Sequence, residues 1–167
     1  GYVGDELGSA LIGARLVRDC MALCFLMEQH YAPYAKWFGS AFQRLACAPT
    51  LTPLLQRVQQ ASDWQGRMSA LAQVYEVLAE MHNALSITPP LETTLRPFHD
   101  RPFIVIDGGR FADALVAEIT DPEVKQLTTQ RLIGNIDQFS DSTDLREDAM
   151  FRNALGGLFN LSHKQPD

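Results

Sequence analysis

Two short stretches of the chain concentrate side chains that can do chemistry. The first is Pro97-Phe98-His99-Asp100-Arg101-Pro102-Phe103, an imidazole, a carboxylate and a guanidinium set between two prolines and two phenylalanines. Stiff, anchored backbone lowers the entropy of ordering a binding site. Arg101 can fork onto a phosphate or carboxylate, and Asp100 beside His99 can tune it as an acid or base. The same two charges could equally bridge helices inside the fold. The second stretch closes the first helix with Glu28, His30, Tyr31, Tyr34, Lys36 and Trp37. His30 there is either a pocket wall or a helix C-terminal histidine favoured by the dipole. Further up the same helix Arg15 and Asp19 are four apart and pair on one face. Arg18, next to an apolar run, points to a cavity, an interface or a tertiary partner.

Other chemistry is less well supported. There is no GxxxxGK[ST] phosphate loop, GxSxG elbow, HExxH, paired CxxC or calcium loop. The four histidines, His30, His82, His99 and His163, lie far apart, and no metal site is expected. Cys20 and Cys24 share a helix face, but with Cys47 they read as buried thiols of a reducing compartment. The acidic run Asp137, Asp141, Asp144, Glu147 and Asp148 fits no cation loop and reads as solvated, capping carboxylates. Gly108-Gly109 reads as a turn that starts a helix.

These residues must be positioned by helices. Asp5 and Glu6 favour the start of a first helix running to about Gln29, whose segment Cys20–Met27 is apolar on every side. Such a helix is expected to be buried over most of its surface. Pro33 is expected at the first position of a second helix carrying Trp37, Phe38, Ala41, Phe42 and Leu45. Thr52-Pro53 is expected to open a third helix, and Ser62 with Gln65 a fourth. The fourth should bury Met68, Leu71, Ala72, Tyr75, Leu78, Ala79 and His82. Four prolines between 86 and 102 forbid continuous helix there. Phe103–Ile106 is at most one short extended segment, which would need a pairing partner such as another chain. Phe111, Leu115, Val116 and Ile119 trace another helix, Asp121-Pro122 opens a short one, and Asp144 with Glu147 opens the last, from Leu145 to about Leu161. The expectation is a mainly α, single-domain bundle of about six to seven helices, with a proline-rich connection at 86–102.

With 20% charged residues and a net charge of −6, the composition is that of an ordinary globular protein. Residues 1–50 carry four basic against four acidic groups, 51–100 three against five, and 101–167 seven against eleven. No third is basic, which excludes sequence-independent binding of nucleic acid and leaves room for a local basic pocket. The longest apolar run is too short for a membrane span, and a cytoplasmic location is expected. The chain opens with Gly1 and enters a helix almost at once, so it is expected to be a piece of a longer protein.

Several phrases carry a family resemblance: GDELGSALIGARLVRD, CFLMEQHYAPYAKWFGSAF, HNAL, RPFHDRPF and DQFSDSTD. From Gly4 to Asp144 the chain resembles a bacterial family known as domain of unknown function 4037. The resemblance implies the C-terminal helical part of a polymerase-β-type nucleotidyltransferase. Catalysis in that superfamily rests on a Gly-Ser turn and an Asp-x-Asp pair that binds magnesium. Leu7-Gly8-Ser9 offers the dipeptide, but Asp19 stands alone in a helix, so the catalytic half is missing here. By analogy with better-understood relatives, Lys36 and Arg101 would face phosphates, Tyr34 and Trp37 would line the pocket, and Glu28 or Asp100 would be the base. The partners implied are an upstream catalytic domain and a small-molecule or nucleotide substrate. No cofactor is expected in this chain, while magnesium and nucleotide belong to the parent protein. The chain alone is then not an enzyme. The competing expectation is a non-catalytic interaction or oligomerisation module, with Tyr31, Tyr34 and Trp37 at an interface and a homodimer allowed. A self-sufficient enzyme using His99 and Asp100 ranks last, for want of a nucleophile or metal set.

Overall fold

A computed structural model describes residues 1–129, 140, 142, 145 and 147–157. Among these the protein is mainly α, with seven helices and one two-stranded ribbon: α1 (Glu6–Met27), α2 (Ala35–Phe42), α3 (Ala48–Gln60), α4 (Trp64–Ala84), β1 (Arg96–Pro97), β2 (Ile104–Val105), α5 (Gly109–Ala117), α6 (Pro122–Leu127) and α7 (Ala149–Gly156). The chain divides into two compact units, Gly1–Glu118 and Ile119–Asp167.

In the first unit α1, α3 and α4 pack on one another. Their core is Val17, Cys20, Cys24, Phe25, Leu51, Leu55, Val58, Ala70, Leu71, Val74 and Leu78. α2 reaches it through Phe38 and Phe42, which meet Phe25 at centroid distances of 5.3 and 6.3 Å. The fourth helix buries Leu71, Leu78, Ala79 and His82 as expected. It also buries Arg67, Ala70 and Val74, while Met68, Ala72 and Tyr75 are only half-buried. Gly13 matters at the α1–α4 crossing: a Cβ there would stand 2.5 Å from Arg67 Cδ. Its absence lets the Arg67 side chain lie across α1 and reach Glu6 at 3.4 Å, while Nη1 donates to the carbonyls of Ala61 and Asp63 at 3.1 Å.

The first helix is not buried all round. One face packs on α3 and α4, and the opposite face leaves Ile12 64% and Leu26 73% exposed. Its start is as read: the Asp5 carboxylate accepts from the Gly8 amide at 2.7 Å. Its end is a Schellman motif without glycine. Gln29 takes the left-handed conformation, φ 58°, and the Gln29 and His30 amides donate to Leu26 O and Phe25 O.

Three other boundaries move. Pro33 precedes α2, whose cap is Tyr34, and Leu45 lies beyond its end. α3 begins four residues before Thr52, so Pro53 is inside the helix. α4 is capped by Asp63, not Ser62, with the Asp63 carboxylate accepting from Gly66 N at 2.7 Å. An ionised carboxylate makes the stronger cap, and Ser62 Oγ donates to it. The extended segment pairs within its own chain: Ile104–Val105 runs antiparallel to Arg96–Pro97, so no second chain is needed.

In the second unit, the Asp121 carboxylate accepts from Glu123 N and Val124 N to open α6, as Asp-Pro predicts. Asp148 caps α7 through Met150 N at 2.7 Å. Asp137, Asp141, Asp144, His163 and the expected last turn to Leu161 lie outside the described residues.

Candidate functional site

The proline-rich connection is held to the end of α4 by side chains from the phrase HNAL. Asn83 works as a two-point clamp on Leu91: its Nδ2 donates to Leu91 O at 2.7 Å and its Oδ1 accepts from Leu91 N at 2.9 Å. One turn of helix contributes the second anchor. Thr88 Oγ1 donates to Pro89 O, which leaves it an acceptor for His82 Nε2 at 3.0 Å. His82 also meets the Phe111 ring edge-on at 5.1 Å. Glu92 then takes a hydrogen bond from Thr94 and a contact from Arg96, and lies 3.8 Å from Arg110 of α5. These donors, Thr94 first, hold its carboxyl below the ordinary carboxylate value.

Anchored in this way, the chain closes the β1–β2 ribbon. Phe98 N donates to Phe103 O at 2.7 Å and Arg101 N to Phe98 O at 3.1 Å, so Phe98–Arg101 is a tight turn. His99 takes φ 52° there, a conformation histidine enters more readily than most residues. The turn exposes His99, Asp100 and Arg101. The Arg101 guanidinium lies 5.9 Å from the Phe98 ring centroid, and His99 packs edge-on against the same ring.

Behind the turn three aromatic rings meet. Tyr2, Trp64 and Phe103 stand pairwise edge-to-face, each pair 5.9 Å apart between centroids. Trp64 is placed by the Asp63 cap at the start of α4, Phe103 by the ribbon, and Tyr2 by the residues before α1. Together with Val3, Pro102, Asp100 and Arg101 they line a cavity of about 420 Å³. That volume suits a small ligand. Aromatic walls offer a place for a planar group, and the rim offers one anion-binding and one cation-binding side chain.

The second stretch is built differently. Glu28 follows the last turn of α1 and points to the chain entering α3, accepting from Ala46 N at 2.8 Å and Cys47 N at 2.9 Å. Burial raises its pKa, but the Cys47 thiol and these two amides outweigh that and leave it below the ordinary carboxylate value. This occupation competes with service as a general base. Lys36 lies over the Trp37 ring, 5.2 Å from its centroid, and His30, Tyr31, Tyr34 and Trp37 are exposed. None of these five lines the cavity beside Trp64. Arg18 is half-buried and engaged with neighbouring groups.

The cysteines are packing residues. Burial, then the Asp19 charge, pushes Cys20 up to about 12. Burial pushes Cys24 up to about 11 despite a hydrogen bond with Cys47. Cys47 is raised by burial and by its bond to Glu28. Thiols held so far above neutral pH are unreactive. Among the described residues no three His, Cys, Asp or Glu side chains come together as a metal site, and no helix is long and apolar enough to cross a membrane.

The sequence had named Asp100 and Arg101. It had not named Tyr2 or Trp64, because the pocket's aromatic walls come from segments some sixty residues apart in the chain. Comparison with known families bears on the N-terminal part. A family described as domain of unknown function (DUF4037) matches residues 1–38, which bears out the family resemblance over that segment. No curated protein matches the chain, and no solved structure does.

Proposed function

We propose that the chain is a helical substrate-binding domain whose site is the Tyr2–Trp64–Phe103 pocket, serving an upstream nucleotidyltransferase-type catalytic domain in the cytoplasm. One observation carries this reading: Arg101 and Asp100 stand at the rim of a cavity walled by aromatic rings. A nucleotide matches that arrangement. Its base lies against the aromatic wall, its phosphates meet Arg101, and Asp100 accepts from a base amino group or a sugar hydroxyl. Catalytic metal and nucleophile activation belong to the partner domain, and this chain supplies position.

Trp64 is its own reporter. In a Trp37→Phe background, Trp64 fluorescence is expected to change saturably with a nucleoside triphosphate. Adding Arg101→Ala should weaken the response at least tenfold, in the range of a lost charge-assisted hydrogen bond. A flat titration at millimolar nucleotide would remove nucleotides from the pocket.

A second reading has its own support. Tyr31 is 92% exposed and Trp37 53%, beside Tyr34 and Lys36, and such aromatics serve as anchors for a protein partner. Capture of a partner that is lost in Tyr31→Ala and Trp37→Ala, with nucleotide response intact, would assign this surface to protein recognition.

A further inference from the structure

The exposed face of α1 has a pattern that neither reading uses. Gly8, Ile12, Arg15, Asp19, Ala22 and Leu26 follow one another at alternating spacings of four and three. That is the seam of a helix that pairs with another helix. Leu11 and Leu23 flank the seam and are exposed, as are Ile12 and Leu26. The opposite face is the one packed on α3 and α4, carrying Gly13, Val17, Cys20 and Cys24.

The seam is also self-complementary. About the level of Val17, Gly8 mirrors Leu26, Ile12 mirrors Ala22, and Arg15 mirrors Asp19. We infer that α1 is a two-fold interface, in which the same helix of a second copy of this chain lies antiparallel across it. Ile12 then seats over Ala22, and Leu26 reaches the Gly8 end of the other helix, beside the Asp5 carboxylate that caps it. Each Arg15, already engaged within its own copy, adds a contact to the Asp19 of the other copy. A two-fold contact requires this reciprocity, residue i touching j and j touching i. Charge sets the direction. Parallel helices in register place arginine against arginine and aspartate against aspartate, which is unfavourable, while the antiparallel pair matches opposite charges twice. A single helix pair is at the small end of stable interfaces, so the dimer dissociates on dilution. The inference does not depend on what fills the aromatic pocket.

Sedimentation equilibrium of the 167-residue chain tests it, with circular dichroism to confirm folding. The unmodified chain should dimerise with rising concentration. Arg15→Asp alone and Asp19→Arg alone should each weaken the dimer roughly tenfold or more, and the double exchange should recover it, since it restores both opposite-charge contacts. A folded chain that stays monomeric at all concentrations overturns the inference. So does a double variant as weak as the singles. Cysteine cross-linking fixes the direction: Ile12→Cys mixed with Ala22→Cys should form a mixed disulfide dimer under oxidation. Self-linking of Ile12→Cys in place of the mixed product would mean parallel helices and overturn the proposal.

Discussion

The chain after α1 and the chain after α4 look alike in sequence, each offering a histidine, aromatics, a basic residue and a carboxylate near prolines. In three dimensions they differ in what stands opposite. The segment after α4 is clamped by Asn83 and by His82 through Thr88, turned by the ribbon, and faced by Trp64 and Tyr2, so it becomes one wall of a cavity. The segment after α1 is held by Glu28 and by Ala32 against the core, and Tyr31, Tyr34 and Trp37 stand out from the surface. A polar cluster becomes a pocket only when a second segment supplies the other wall.

That difference can be broken at its anchors. Asn83→Ala removes both bonds to Leu91 and leaves backbone groups without partners, so a loss of about 1–3 kcal/mol is expected in urea unfolding. The Trp64 nucleotide response should fall with it, because the turn loses its register. A change of stability with an unaltered response would show that the turn is set locally.

Glu28→Gln should cost less, about 1–2 kcal/mol, since the amide keeps one acceptor but loses the charge. Its pH dependence has a definite sign. The folded carboxyl lies below its ordinary value of 4.5, so its stabilisation is complete above the unfolded pKa and is lost as pH falls through the folded one. The gap between the unmodified chain and Glu28→Gln should therefore be constant near neutrality and shrink below about pH 4.5. A gap that persists into stronger acid would mean that packing, not the charge, is responsible.

The smallest effects on stability belong to the exposed side chains. Arg101→Ala and Trp37→Ala should each stay within about 0.5 kcal/mol of the unmodified chain, and thermal unfolding checks this. They should separate in function, with only Arg101→Ala weakening the response of Trp64. Equal loss in both would merge the two clusters into one site and end the comparison.

Much of the architecture was legible in the residues because helix signals are local. Asp5 and Asp121-Pro122 cap the helices they precede, and the prolines from 89 to 102 end the helical run. The start of α3 was not legible. The carboxylate that accepts from Ala46 and Cys47 is Glu28, eighteen and nineteen residues upstream, and with that support the helix begins ahead of Pro53. Local sequence shows only the nearest cap, Thr52. The same holds for α1. Its apolar composition reads as burial on all sides, but among the described residues α3, α4 and the phenylalanines of α2 cover one side of it, and Ile12 and Leu26 are left exposed.

By itself the sequence determined that this is a mainly helical protein with cysteines in apolar helical context, no motif for catalysis, and a His-Asp-Arg turn stiffened by prolines. Those are properties of residue type and short spacing. Only the tertiary structure decided that Asp100 and Arg101 border an aromatic cavity, that Glu28 is engaged as a cap, and which face of α1 packs on α3 and α4. Each of these depends on contacts between segments far apart in the chain, and spacing along one segment carries no information about what packs against it.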